Sequence, residues 1–291
     1  MRAYVCQNSH GMRAVKPYDR YVDANELRLH YLEWGNKRDQ PIVMLHGFLA
    51  HAHVWDGIAP AFEDRYHVMA LDQRGHGQSG WSQKAAYTID DHFSDIDTFL
   101  TTLELSKVIL IGHSMGGRNA LFYAACKPSS VGRLILVDAR PDDTPQASQA
   151  LKDLLVTFPL KASSLNQVTQ ALQGLYPYLS KQCCKHIARY GYKKEDDGTF
   201  IPRYDTRMSV QCERMNYATE GLWPYMPNIA SPTLIVRGKE SSFLSREVAQ
   251  RMGKAIPIAI VREIGKATHM PAQENPVVFQ RIVSEFLRNK L

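Results

Sequence analysis

Val108-Ile109-Leu110-Ile111-Gly112-His113-Ser114-Met115-Gly116-Gly117-Arg118 sets a short apolar run against a glycine-flanked serine and then a helical pattern. The run has the length and β-branched content of a buried strand, and the residues from Arg118 have helical spacing. A bare Gly-x-Ser-x-Gly arises by chance about once in ten chains of this size, so the context decides its meaning. Strand, sharp turn and helix in that order force small residues two positions either side of the serine, and lift its hydroxyl above the sheet at a helix N-terminus.

Working outward, Ile42–Leu45, Tyr66–Leu71 and Leu134–Val137 are further apolar runs, separated by stretches of helical spacing. Thr233–Arg237 and Ile258–Val261 resume the alternation near the end, with a helix from Ser245 between them. Strands alternating with helices predict a parallel sheet with helices on its faces. Tyr18–Trp34 reads as an opening hairpin around Asp23-Ala24-Asn25-Glu26. Thr88 with Asp91 forms a capping-box signal for a helix that buries Ile89, Phe93, Ile96, Leu100 and Leu103. The last helix starts at Asn275 with Pro276 in its first turn and buries Val278, Phe279, Ile282, Val283, Phe286 and Leu287. Between Ala139 and Ser231 the alternation breaks into helical segments rich in aromatics, among them Phe158, Tyr176, Tyr178, Tyr190, Tyr192, Phe200, Tyr204, Tyr217, Trp223 and Tyr225. The expected organisation is an N-terminal extension over 1–17, a core from 18–138 and 232–291, and a cap inserted over 139–231.

A serine hydroxyl becomes a nucleophile only when a base removes its proton. His269 stands in Gly265-Lys266-Ala267-Thr268-His269-Met270-Pro271, a loop after the last strand run, from which a side chain reaches back over the sheet. His46-Gly47-Phe48 follows the strand run Ile42–Leu45. Its Phe48 amide and the Met115 amide are candidate donors to a developing oxyanion. The bland alternatives are a solvated loop histidine and a simple His-Gly turn.

With these segments the chain resembles the α/β-hydrolase superfamily from about Tyr18 to Leu291, and Leu71-Asp72-Gln73-Arg74-Gly75-His76-Gly77-Gln78-Ser79 is similar to the family's loop after its fourth strand. The resemblance implies a mostly parallel, eight-stranded α/β sheet flanked by helices, with an inserted helical cap. It also implies a nucleophile at Ser114 and a base at His269. In that loop Gly75 and Gly77 permit a tight turn and Asp72 and Arg74 tie it down. The family usually places its third catalytic group, an aspartate, in Gly-x-x-Asp after the seventh strand, where this chain reads Gly238-Lys239-Glu240-Ser241-Ser242-Phe243. Some relatives carry the acid at the end of the sixth strand instead, which here is Asp138. Asp138 is therefore the preferred acid and Glu240 the alternate, with a water-bridged or absent acid still open. The expected activity is hydrolysis of a carboxylic ester through an acyl-enzyme. A thioester, lactone or carbon–carbon bond, cofactor-free perhydrolysis, and a ligand-binding receptor on a hydrolase scaffold are the alternatives. Epoxide hydrolase and dehalogenase chemistry needs an aspartate where Ser114 stands.

The chain of 291 residues holds 35 Lys+Arg against 29 Asp+Glu. Those basic residues are scattered, so no nucleic-acid partner is expected. No apolar run reaches the ~18 residues of a membrane span. Cys6, Cys126, Cys183, Cys184 and Cys212 are odd in number and have no metal-ligand spacing. Free thiols in a reducing compartment, no metal and no cofactor are expected, with Cys183 and Cys184 half-buried. The first eighteen residues lack the apolar core of a secretory signal, so a cytoplasmic protein acting on a small acyl substrate as monomer or homodimer is the expectation.

Overall fold

A computed structural model describes residues 16–142, 153–208 and 221–288. Strands β1 (Tyr18–Ala24), β2 (Leu27–Trp34), β3 (Gln40–Leu45) and β4 (Tyr66–Leu71) open the chain. Helix α1 (Ile89–Thr102), β5 (Val108–His113), α2 (Met115–Cys126) and β6 (Val131–Val137) follow. Next come α3 (Leu165–Leu175), α4 (Lys181–Gly191) and the small strands β7 (Tyr192–Lys194) and β8 (Phe200–Pro202). The chain closes with β9 (Thr233–Gly238), α5 (Arg246–Ala255), β10 (Ala259–Ile264), α6 (Pro271–Glu274) and α7 (Pro276–Arg288). Eight strands form one sheet in the order β1-β2-β4-β3-β5-β6-β9-β10. Only β2 runs against its neighbours; every pairing from β4 to β10 is parallel.

The near-continuous apolar strands follow from burial on both faces. Ile42, Met44, Ile109, Ile111, Ile135 and Val137 face one apolar cluster with Phe279 and Val283 of α7. Their alternates Val43, Leu45, Leu110, Leu134 and Leu136 face a second, with Phe99 of α1, Leu121 of α2 and Met252 of α5. Each fully buried aliphatic side chain stabilises the fold by ~1.5–3 kcal/mol. The Thr88–Asp91 capping box is formed in both directions. Asn25 and Glu26 both take positive φ, 47° and 65°, the geometry of a two-residue turn that matches strand twist.

Between β6 and β9 the described residues contain α3 and α4 as the helical spacing leads one to expect. They also contain the β7–β8 hairpin, which that spacing does not signal. Its turn at Asp197-Gly198 closes through the Gly198 amide donating to Glu195 O at 2.9 Å. Leu172 of α3 and Cys184 and Ile187 of α4 belong to the same apolar cluster as the sheet face. Cys183 and Cys184 form no disulfide, and both are buried rather than half-buried because α4 turns that face onto the cluster. Tyr217, Cys6 and Cys212 lie outside the described residues. Among the described residues no helix is long and apolar enough to cross a membrane.

Gly116 shows why the elbow needs its small residues. A Cβ there would lie 2.5 Å from His46 O and 2.6 Å from Leu45 O, both rigid backbone. Gly116→Ala is therefore expected to destabilise the fold by ~1–3 kcal/mol, read as a lowered denaturant midpoint at unchanged slope.

Candidate active site

The elbow is built by strain that its surroundings impose. Ser114 sits at φ 51°, ψ −116°, between β5 and α2, with its amide donating to Val137 O (3.0 Å) and its carbonyl accepting from the Arg118 amide (3.0 Å). A non-glycine residue persists there only because the flanking elements over-determine it. The Ser114 side chain is thereby held at the C-terminal edge of the sheet, beside the two loops that follow β6 and β10.

His269 comes from the second of these loops, between β10 and α6. Its Nδ1 lies 2.8 Å from Asp138 Oδ2 and its Nε2 lies 2.9 Å from Ser114 Oγ. With Nδ1–H donating to the carboxylate, the Nε2 lone pair faces the hydroxyl. Asp138, one residue past β6, is fully buried and also sits at positive φ, 45°. Its Oδ1 accepts from the Gly238 amide (3.1 Å) and its Oδ2 from Ser241 Oγ (2.6 Å). Residues 114, 138 and 269 thus form one hydrogen-bonded line. Glu240, the alternate acid, stands outside it. Its carboxylate is exposed and accepts from the Ala267 amide at 3.1 Å.

Three supports of this line were not anticipated. Ser241 occupies the fourth position of Gly238-Lys239-Glu240-Ser241, where the family's aspartate would stand, and donates its hydroxyl proton to Asp138. The same oxygen accepts from the Phe243 and Leu244 amides at 3.1 and 3.3 Å, which fixes its direction. The departure in that motif was the available signal. Glu274 in α6 accepts from the amides of Thr268 (2.6 Å) and Met270 (3.2 Å), bracketing His269. Nothing in the local sequence marks it. Burial raises its pKa even against those hydrogen bonds. His113 donates Nε2–H to His269 O at 2.6 Å; burial, then the nearby His269, hold it down at about 3, so it stays neutral.

Phe48 and Met115 stand at the ends of the two turns that meet at Ser114, and neither backbone amide donates to a protein acceptor among the described residues. Gly47 lets the turns approach: a Cβ on it would lie 3.2 Å from Ser114 Cβ. The turn after β3 is fixed from below. His46 accepts the Gln73 amide proton (3.0 Å), Gln73 donates its side-chain N–H to His46 O (2.6 Å), and Asn119 donates to Gln73 Oε1 (2.8 Å). Burial, then His76, keep His46 down at about 3. Asp72 accepts from the Ala52 and Gln78 amides and from His30, and Arg74 forms a fork onto Asp95 at 2.6 and 2.7 Å. Both residues tie down the loop after β4, and neither touches Ser114 or His269. Phe243 walls the site, its ring 4.3 Å from that of His269.

The family profile described as alpha/beta hydrolase fold matches residues 40–276. The chain belongs to the α/β hydrolase fold family. Within this family it is 27% identical over 269 residues to the 2-(acetamidomethylene)succinate hydrolase of Mesorhizobium japonicum, covering 92% of this chain and 94% of that one. It is 24% identical over 258 residues to an esterase of Mycobacterium tuberculosis, covering 87% of this chain and 84% of that one. The crystal structure of an E-2-(acetamidomethylene)succinate hydrolase superposes with a TM-score of 0.86 at 26% identity, covering 94% of this chain and all of that one. As an α/β hydrolase fold protein the chain thus carries the family's sheet, elbow turn and loop order, with the carboxylate beside His269 supplied after β6.

Ser241→Ala is expected to lower kcat about tenfold, the lower end of the loss seen when an outer hydrogen-bond partner is removed. KM should change little. Equal activity in the two proteins would mean that the Gly238 amide and His269 hold Asp138 without the Ser241 hydroxyl.

Proposed function

We propose that this protein is a serine hydrolase that cleaves a carboxylic ester or a closely related acyl bond. Ser114 attacks the carbonyl carbon while His269 takes its proton through Nε2. Asp138 keeps Nδ1 protonated and stabilises the imidazolium that forms. The Phe48 and Met115 amides, which donate to no protein acceptor among the described residues, receive the negative charge that develops on the carbonyl oxygen. Collapse of the tetrahedral adduct expels the alcohol, to which His269 returns the proton. Water, activated by the same imidazole, then releases the acid and restores the Ser114 hydroxyl.

The observation that carries this reading is the hydrogen-bonded line Ser114, His269, Asp138, in which each atom faces the partner the chemistry requires. We further propose that 139–231 acts as a cap over the site, with Tyr176 and Phe158 contributing apolar surface. The substrate is then a small molecule whose acyl or alcohol group fills apolar space.

A fluorophosphonate probe tests the reading directly. Wild type should be labelled at Ser114, whereas a receptor on a hydrolase scaffold would stay unlabelled. A series of nitrophenyl esters of rising chain length then reports the depth of the pocket. The likeness to a 2-(acetamidomethylene)succinate hydrolase over nearly the whole chain favours a second reading, cleavage of an acylated enamine. That compound belongs in the same panel, and a kcat/KM for it above every ester would replace the ester assignment.

A further inference from the structure

Away from Ser114 a second cluster of chemistry-bearing side chains joins α4 to the core. His53 lies in the 3₁₀ turn Ala52–Trp55, Asp56 caps the end of that turn, and His186 projects from α4. Asp56 Oδ2 is 2.9 Å from His53 Nδ1 and 3.0 Å from His186 Nε2. One carboxylate oxygen is thus shared by two imidazoles that lie far apart in sequence. Its sister Oδ1 is buried and has no hydrogen-bond partner among the described residues. All three side chains are nearly buried, at 10%, 12% and 12% exposure. The ring of Tyr190 stacks on His53 at 3.6 Å and 22°, fixing the orientation of that imidazole. The adjoining cleft is lined largely by apolar groups, including Val54, Ile58, Ile187, Ala272 and Pro276.

A carboxylate needs only one oxygen to anchor two N–H donors, so the arrangement leaves a buried acceptor idle, which is costly. A cation chelated by Asp56 through Oδ1 as well as Oδ2 removes that cost. One ligand atom from each residue can be chosen such that all lie within 4.8 Å of one another. Two atoms bound tetrahedrally to the same Zn²⁺, at ~2.0–2.1 Å each, stand about 3.3 Å apart. The observed 2.9 and 3.0 Å need to widen by only a few tenths of an ångström. Neutral imidazole supplies the lone pair by moving its proton to the other ring nitrogen, and no redox step is involved.

We propose that His53, Asp56 and His186 form a binding site for a divalent transition-metal ion of the zinc type, clamping α4 to the turn that follows the Phe48 loop. Two nitrogens and one carboxylate suit Zn²⁺, Co²⁺ or Ni²⁺, whereas Mg²⁺ and Ca²⁺ require an oxygen cage. Water completes the fourth position, facing the cleft. The site shares no residue with Ser114, His269 or Asp138, so it stands or falls separately from the hydrolase reading. The cysteine spacings that argue against a metal do not bear on it, because His53 and His186 come together only through the fold.

The test is calorimetric titration of chelator-stripped, tag-free full-length protein with Zn²⁺, alongside Asp56→Asn, His186→Gln and His269→Ala. Wild type and His269→Ala should bind one equivalent. The other two should bind at least about a hundredfold more weakly. At a hundredfold excess over Kd, the wild-type Tm should rise by on the order of 5 °C. Absence of saturable binding, binding retained in Asp56→Asn, or loss in His269→Ala would each overturn the assignment. Should the Asp56 or His186 variants fail to fold, X-ray absorption of the wild-type Zn²⁺ complex decides. Two imidazole nitrogens with oxygen support the site, while an all-oxygen or sulfur-containing shell refutes it.

Discussion

Ser114→Ala is expected to lower kcat for the best nitrophenyl ester by a factor on the order of 10⁵–10⁶ while leaving the fold intact. The size of the loss follows from what the hydroxyl alone contributes. Without Oγ no acyl-enzyme forms, and His269 can only assist direct attack by water, leaving whatever acceleration the Phe48 and Met115 amides supply. The stability half of the prediction follows from the backbone. The contacts that impose φ 51° at this residue are the Ser114 amide to Val137 O and the Arg118 amide to Ser114 O, and alanine keeps both. Among the described residues the hydroxyl bonds only to His269 Nε2, a partly solvated group, so Tm should move by no more than a degree or two. Initial rates and thermal unfolding measured on the same preparations check both halves. An alanine variant that still hydrolyses esters at more than a hundredth of the wild-type rate would remove Ser114 from the chemistry.

How much of this was legible in the sequence depends on the range of each interaction. Strands β3 to β6 and β9 announce themselves because burial on both faces leaves no polar alternation in Ile42–Leu45 or Val108–Ile111, whereas β10, a partly buried edge strand, shows only the short run Ile258–Val261. The Thr88 cap and the Asn25-Glu26 turn are local, involving partners at most a few residues apart. The elbow is readable because Gly112 answers a steric demand made within five residues, by Gly116 and Gly117, even though the demand on Gly116 comes from Leu45 and His46. Ser114 and His269 were named from chain order and loop position, and the structure brings them within 2.9 Å. Ser241, Glu274, Gln73 and Asn119 escaped notice because each acts on a group that only the tertiary fold brings near. Ser241 is 103 residues from Asp138, and Asn119 is 46 from Gln73. A serine in place of an acid looks like a loss until Asp138 is seen at its hydroxyl. The β7–β8 hairpin was hidden for another reason. Strands of three residues are too short to show a period.

Asp138→Asn should reduce kcat by about 10⁴, and Glu240→Gln by no more than about threefold. The contrast rests on what Asp138 accepts. Three donors converge on its two oxygens: His269 Nδ1–H, the Ser241 hydroxyl and the Gly238 amide. Asparagine retains one carbonyl oxygen and places an NH₂ where the other stood. If that NH₂ faces His269, Nδ1 must become the acceptor, and the ring proton moves to Nε2. The imidazole then points N–H at Ser114 Oγ and has no lone pair for its proton. If the amide turns the other way, its NH₂ meets the Gly238 amide hydrogen, a donor facing a donor inside a buried site. The first arrangement costs less, so the inactive tautomer prevails. Glu240 enters none of these contacts; its carboxylate accepts from the Ala267 amide at the surface, and glutamine can keep an acceptor there. Single-turnover acylation rates with a nitrophenyl ester separate the cases, because they isolate the proton transfer from product release. Near-wild-type acylation in Asp138→Asn together with a large loss in Glu240→Gln would move the acid to the loop after β9, and the buried carboxylate after β6 would become a structural group that happens to face His269.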